Sequence, residues 1–214
     1  MKAPPRETGF APAHVTPPRE AEAPPFDHNP SSMRRRYGIA ALALLAAAIS
    51  LYMGLYQWGV ITSVWDPVFG VGAQTVLQSS ESETMRHILG IPDAVTGSWA
   101  FLSVFVLCLA GSARRWQFRP WLVMLFGLDV VLLGLVSVTL VILQGASVGA
   151  WCLPCLVTAA LSLVLVYLAY DEVWACLRYL KAVWGRHRDT MLTWNVFCGV
   201  GSARAHEVAK EMWR

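Results

Sequence analysis

Four long apolar stretches, of which only the third contains a formal charge, constrain this chain more than any other feature of its 214 residues. They fall near residues 37–60, 94–113, 120–143 and 152–170. A helix rising about 1.5 Å per residue needs about 20 such residues to cross a hydrocarbon core. Lipid offers the backbone no hydrogen-bond partner, so each stretch must be helical. The predicted fold class is all-α, an integral membrane four-helix bundle. Composition agrees: 14% of residues are charged, against about 25% in an ordinary soluble domain. The formal net charge of +3 is too small to argue for a nucleic-acid partner.

Lys and Arg near span ends tend to stay in the cytoplasm. Arg34, Arg35 and Arg36 precede the first span; Arg114, Arg115 and Arg119 separate the second from the third; Arg178, Lys181, Arg186 and Arg188 follow the fourth. The loop from about 61 to 93 instead holds Asp66, Glu81, Glu83 and Asp93 against Arg86. Both termini are therefore expected inside, with the uncharged link 144–151 outside. Trp58, Trp65 and Trp151 fall at the outer boundary on this reading, and Trp116, Trp121 and Trp174 at the inner one. A cleaved signal sequence is the alternative for "RRRYGIAALALLAAA", but the apolar character runs to Ile61, past a signal's usual core of about 7 to 15 residues.

Residues 1–36 read as a disordered cytoplasmic tail, because eight of the twelve prolines lie in 1–32 and so polar a segment cannot offset its ordering entropy. Residues 37–170 form the membrane domain. Residues 171–214 read as a cytoplasmic amphipathic tail, with Val173, Trp174, Leu177, Leu180 and Trp184 at helical spacing.

Chemistry concentrates in "WCLPC". Cys152 and Cys155 begin the fourth span, and cysteines three apart at a helix start lie on adjacent turns, close enough to form a disulfide. The free amide N–H groups there favour a thiolate, and proline is tolerated in a first turn. The outer face of a bacterial-type inner membrane is the oxidising side. A zinc site would need two more ligands, which the outer loops lack, His87 alone being insufficient; no metal is expected. A static disulfide, or two inert core thiols, is the structural alternative. Cys108, Cys176 and Cys198 lie deep in a span or on the cytoplasmic side and read as packing residues. Electrons leaving a dithiol inside lipid need a lipid-soluble acceptor, and a quinone is the natural one.

The four spans, the acidic first loop, "LGIPDAVTG" opening the second span and "WCLPCLVTAA" opening the fourth together resemble the vitamin K epoxide reductase family over about residues 37–170. The resemblance implies that Cys155 faces the quinone, ubiquinone or menaquinone, while Cys152 exchanges with an incoming thiol from a periplasmic thioredoxin-like protein or from secreted thiol proteins. It also implies an outer-loop half-helix over the quinone pocket with serines near its start. Residues 75–89 fit that helix, Ser80 and Glu83 having capping-box spacing. Ser79, Ser80 and Ser82 remain alternatives for the family serine; Ser79 and Ser80, with Thr158, are the expected quinone contacts. Two departures stand out. The stretch "DPVFGVGAQTVLQSS" lacks the loop cysteine pair that shuttles electrons in relatives, and Ala159 occupies the position of a quinone-binding tyrosine in animal members.

Asp129, about nine residues into the third span, is costly enough there to suggest function. Some 20 Å of helix separates it from the dithiol level, so it is expected to be a protonated or hydrogen-bonded core residue, with Ser103 or Ser137 as partner, ahead of a proton relay. The expected function is a quinone-coupled thiol–disulfide oxidoreductase of the cell inner membrane. A non-catalytic membrane scaffold with a fixed disulfide is its main rival. A transporter is disfavoured by the lack of paired polar residues and of helix breaks in the spans.

Overall fold

The structure is a computed structural model that describes residues 29–212, all of whose regular elements are helical. Residues 1–28, which hold most of the proline-rich segment expected to form a tail, lie outside the described residues. In chain order the helices are α1 (Met33–Gln57), α2 (Gly72–Leu77), α3 (Ser80–Leu89), α4 (Asp93–Leu109), α5 (Arg115–Phe118) and α6 (Pro120–Leu143). A π-helical turn, Gln144–Val148, extends α6 and is followed by α7 (Leu153–His187), α8 (Thr190–Phe197) and α9 (Ala203–Met212).

Three helices are long and apolar enough to cross a membrane: α1, α6 with its π turn, and α7. A fourth crossing arises if α3 and α4, bent by 61° at their junction, count as one span; α4 by itself has 17 residues, at the short end of the spanning range. Leu125, Leu128, Leu132, Leu135 and Ile142 of α6 are exposed, as expected where lipid tails replace water.

On α1 the buried residues Arg36, Ile39, Ala40, Ala43, Ala46, Ala47, Ser50, Met53 and Gly54 recur every three or four positions. This stripe of small residues packs along α4, and α6 and α7 complete the bundle. Close approach of backbones is what small residues contribute inside a membrane, where no hydrophobic force pulls helices together. A Cβ at Gly54 would lie 2.5 Å from Val95 Cγ2 and 3.3 Å from Val95 N.

At the end of the bundle away from the disulfide, two guanidiniums close the C-terminus of α4. Arg36 donates to the carbonyls of Cys108 (2.6 Å), Ala110 (2.7 Å), Gly111 and Ser112. Arg115, fully buried, donates to those of Leu107, Cys108 and Ala110 and forms a two-pronged ion pair with buried Glu172 at 2.6 and 2.8 Å. Their positive charge sits where the helix dipole is negative and four carbonyls lack partners.

Three sequence expectations change at this end. Trp116 is 1% exposed and stacks edge-on against Tyr179 at 5.6 Å; it is a core residue and no interfacial anchor, because α9 covers it with Ala205, Val208 and Ala209. The apolar stripe of residues 173–184 is divided: Val173 and Leu180 pack into that cluster while Trp174, Leu177 and Trp184 are exposed. Cys198 caps α8 and is exposed, unlike the buried Cys108 and Cys176.

Candidate functional site

Cys152 is the N-cap of α7, and the first amides of that helix are all accounted for. The Cys152 N–H donates to Gln144 Oε1 at 3.3 Å, the Leu153 N–H to Asp66 Oδ2 at 3.1 Å, and the Cys155 N–H to Cys152 Sγ at 3.2 Å. Pro154 has no N–H to place. The cysteines form a disulfide with Cα atoms 5.3 Å apart, within the usual range.

Asp66 and Gln144 were not singled out from the sequence. Asp66 lies in the loop after α1 and is buried. Its Oδ1 accepts from Val68 and Phe69, which folds the loop into a turn, while Oδ2 reaches across to α7. Burial alone pushes the Asp66 carboxyl up, but the N–H groups of Phe69, Leu153, Val68 and Ala73 outweigh it and hold the group below the usual carboxylate range. An Asp before a proline signals only a turn; nothing local to it points 87 residues along the chain to α7. Gln144 reaches Cys152 because the chain leaves the helix after Val148, at left-handed Gly149, and returns Cys152 beside it.

The two sulfurs face different surroundings. Cys152 is 0% exposed, enclosed by Met53, Val64, Ala73, Leu77 and Ala94. The cover is α2, whose start lies so close to α7's entrance that a Cβ at Gly72 would be 2.1 Å from the Trp151 carbonyl oxygen. Cys155 is half-buried, its Sγ 3.5 Å from Met53 Sδ, and it lines a cavity of about 530 Å³. That volume falls within the range of small-molecule pockets.

The cavity follows α6 from Asp129 to Gln144, about 22 Å at the usual helical rise. Its walls are mainly apolar, from Phe101, Leu133, Val136 and Leu140 among others, with polar groups at intervals. Ser79, Ser80 and Thr158 all line it. Thr158 is buried and donates its hydroxyl to the Cys155 carbonyl at 2.9 Å. Asp129 lines the same cavity at its far end and accepts from Ser103. Ser103 is thus the partner of the two considered, and Ser137 is a wall residue. The helical distance to the dithiol level stands, but the space between is open cavity, a continuity that a single-helix estimate could not register.

α2 and α3 roof the disulfide end. The expected half-helix over 75–89 is two helices, broken at Gln78 and Ser79. Ser79, with an extended backbone, takes the cap and accepts from Ser82 N at 3.4 Å. The expected Ser80–Glu83 capping box is therefore out of register by one residue: buried Leu77 pins α2 to the core, so the chain turns at Ser79, and Ser80 is already helical. Ser82 fastens α3 to the bundle, accepting from Gln57 Nε2 at 2.8 Å and donating to Asp93 Oδ1 at 3.1 Å. Glu81 accepts from Ser147 of the π turn, so the roof is tied on both sides.

No group of three His, Cys, Asp or Glu side chains that could hold a metal occurs among the described residues. No match was found among curated proteins or among solved structures. The sequence profile of the Vitamin K epoxide reductase family matches residues 37–170, the segment containing most of the helical bundle, the roof and the disulfide. A multi-pass helical membrane bundle with a Cys-X-X-Cys disulfide at the head of its last span is what that match covers, and the chain belongs to the vitamin K epoxide reductase family, whose kind is the membrane thiol–disulfide oxidoreductase.

Proposed function

We propose that this chain is a thiol–disulfide oxidoreductase of the cell inner membrane, coupling Cys152 and Cys155 to a lipid quinone, ubiquinone or menaquinone, with both termini cytoplasmic. Its electrons come from a periplasmic thioredoxin-like protein or from secreted thiol proteins. The observation that carries the reading is the place of Cys155, whose half of the disulfide borders a long apolar cavity.

The cavity fits the quinone class in volume, in apolar lining and in having a sulfur at one end. A quinone bound there supplies a two-electron, two-proton acceptor. The residues divide the remaining work. Once α2 lifts from Cys152, an incoming thiolate attacks Cys152 Sγ, the S–S bond breaks and the pair of electrons leaves on Cys155 Sγ, facing the cavity. A second thiol then displaces the first from Cys152, releasing a disulfide and leaving both cysteines reduced. The Cys155 N–H, pointed at Cys152 Sγ, stabilises negative charge on that sulfur during exchange. Thr158, its hydroxyl proton committed to the Cys155 carbonyl, offers oxygen lone pairs to the cavity, and Ser79 and Ser80 present polar groups from the roof.

Cys155→Ser should abolish quinone-dependent oxidation of an added dithiol by the purified full chain; turnover that survives the change would refute the assignment. A second reading, a scaffold with a fixed disulfide, draws on the complete burial of Cys152 and predicts no turnover before or after the substitution.

A further inference from the structure

The head of α7 carries a charge with no stated role. Asp66 is 7% exposed, and among the described residues no Lys, Arg or His pairs with it. Its carboxylate is held by the backbone N–H groups of its own turn and by that of Leu153, the residue directly after Cys152. The neighbouring amide, that of Cys152, is met by a neutral acceptor, Gln144 Oε1. One of the two acceptors at the entrance to the redox helix is therefore anionic.

We propose that Asp66 is a positioning residue that lowers the reduction potential of the Cys152–Cys155 disulfide by holding its carboxylate on the first helical amide after Cys152. The inference rests on the pair being redox-active. Reduction by two thiols, RSH, breaks the S–S bond, moves two electrons and two protons onto the cysteines and releases RSSR. The disulfide is neutral. Once reduced, Cys152 is the sulfur that the Cys155 N–H and the helix terminus favour as a thiolate. A carboxylate at the same terminus cancels part of that field and opposes the thiolate, so it disfavours the reduced form alone. Stabilising the reduced form is what makes a dithiol pair oxidising; Asp66 acts in the reverse sense and makes the disulfide harder to reduce.

The test is a redox titration of the full chain in membranes against a dithiothreitol couple, with maleimide labelling as the readout. Asp66→Asn removes the charge and should shift the equilibrium toward the dithiol on the order of tenfold, about 30 mV for a two-electron couple. Gln144→Glu adds a second carboxylate, on the Cys152 amide, and should shift it in the opposite direction. A merely structural role for either residue would loosen the helix head in both variants and could not produce shifts of opposite sign. Unchanged midpoints in folded variants, or shifts of the same sign, overturn the inference. If Asp66→Asn does not fold, Gln144→Glu decides: a lower midpoint supports the inference and an unchanged or higher one defeats it. A parent pair that never takes up electrons refutes the redox reading as well, whereas a pair that titrates normally but ignores both substitutions refutes only the role of Asp66.

Discussion

Adding one methyl group at Gly72 should open the cover over Cys152. The new Cβ would sit 2.1 Å from the Trp151 carbonyl oxygen and 2.9 Å from Phe69 Cβ, where real Cβ contacts essentially never fall below 3.0 Å. The Trp151 oxygen is backbone and cannot rotate away, so the start of α2 must retreat by about 1 Å. Overpacking of this kind costs about 1–3 kcal/mol. The clash with Trp151, the closer of the two, falls on the closed arrangement alone, because a lifted α2 no longer meets Trp151, while the milder Phe69 contact lies within the turn leading into α2 and is common to both arrangements. If attack on Cys152 requires prior lifting of the cover, the exchange rate rises by the same factor as the opening equilibrium, roughly 5- to 150-fold. The assay is the rate of disulfide reduction by dithiothreitol in the full chain, read by maleimide mass shift. A Cys198→Ser background removes the one exposed free thiol among the described residues. Gly185→Ala is the control, since a Cβ there meets nothing within 4 Å. Equal rates for the parent, the control and a folded Gly72→Ala variant would refute the claim that α2 guards Cys152.

Other substitutions probe the remaining supports. Arg115→Leu strands Glu172, which is 2% exposed, and should cost about 3–5 kcal/mol in thermal or denaturant unfolding, whereas exposed Arg119→Leu should change little. Ser82→Ala takes one hydrogen bond from Asp93 and one from Gln57 and should cost about 1–3 kcal/mol, with faster hydrogen exchange in α3 as the local signature. Acid stability should depend on Asp66. Its folded carboxyl lies below the ordinary value, so its contribution is complete above about pH 4 and is lost as pH falls through the lower, folded value. Asp66→Asn should therefore flatten the acid limb of the stability curve; an unchanged limb would contradict the backbone-bonded carboxylate.

The bundle was readable in advance because membrane insertion is governed by local composition. Four apolar stretches and the Cys-X-X-Cys at the head of the last follow from counting residues along the chain, and the resemblance carried by "LGIPDAVTG" and "WCLPCLVTAA" covers the segment that the family profile matches. Where a side chain's role depends on a distant partner, the sequence is silent. Nothing local to Arg36 or Arg115 says that both are buried as caps on α4. Trp116 has the composition of an interfacial residue until α9 folds over it. The serine register slipped by one because Leu77, buried beside Cys152, decides where α2 stops.

The linear order of apolar and polar residues determined that this chain crosses a membrane as helices and carries a dithiol where a span begins, since lipid imposes those outcomes segment by segment. Only the tertiary structure decided that Cys152 is wholly buried under α2, that Asp129 shares the cavity which Cys155 lines, and that Asp66 holds an amide of α7. Those facts depend on which helix faces meet, and packing between segments far apart in the chain leaves no periodic mark within either one.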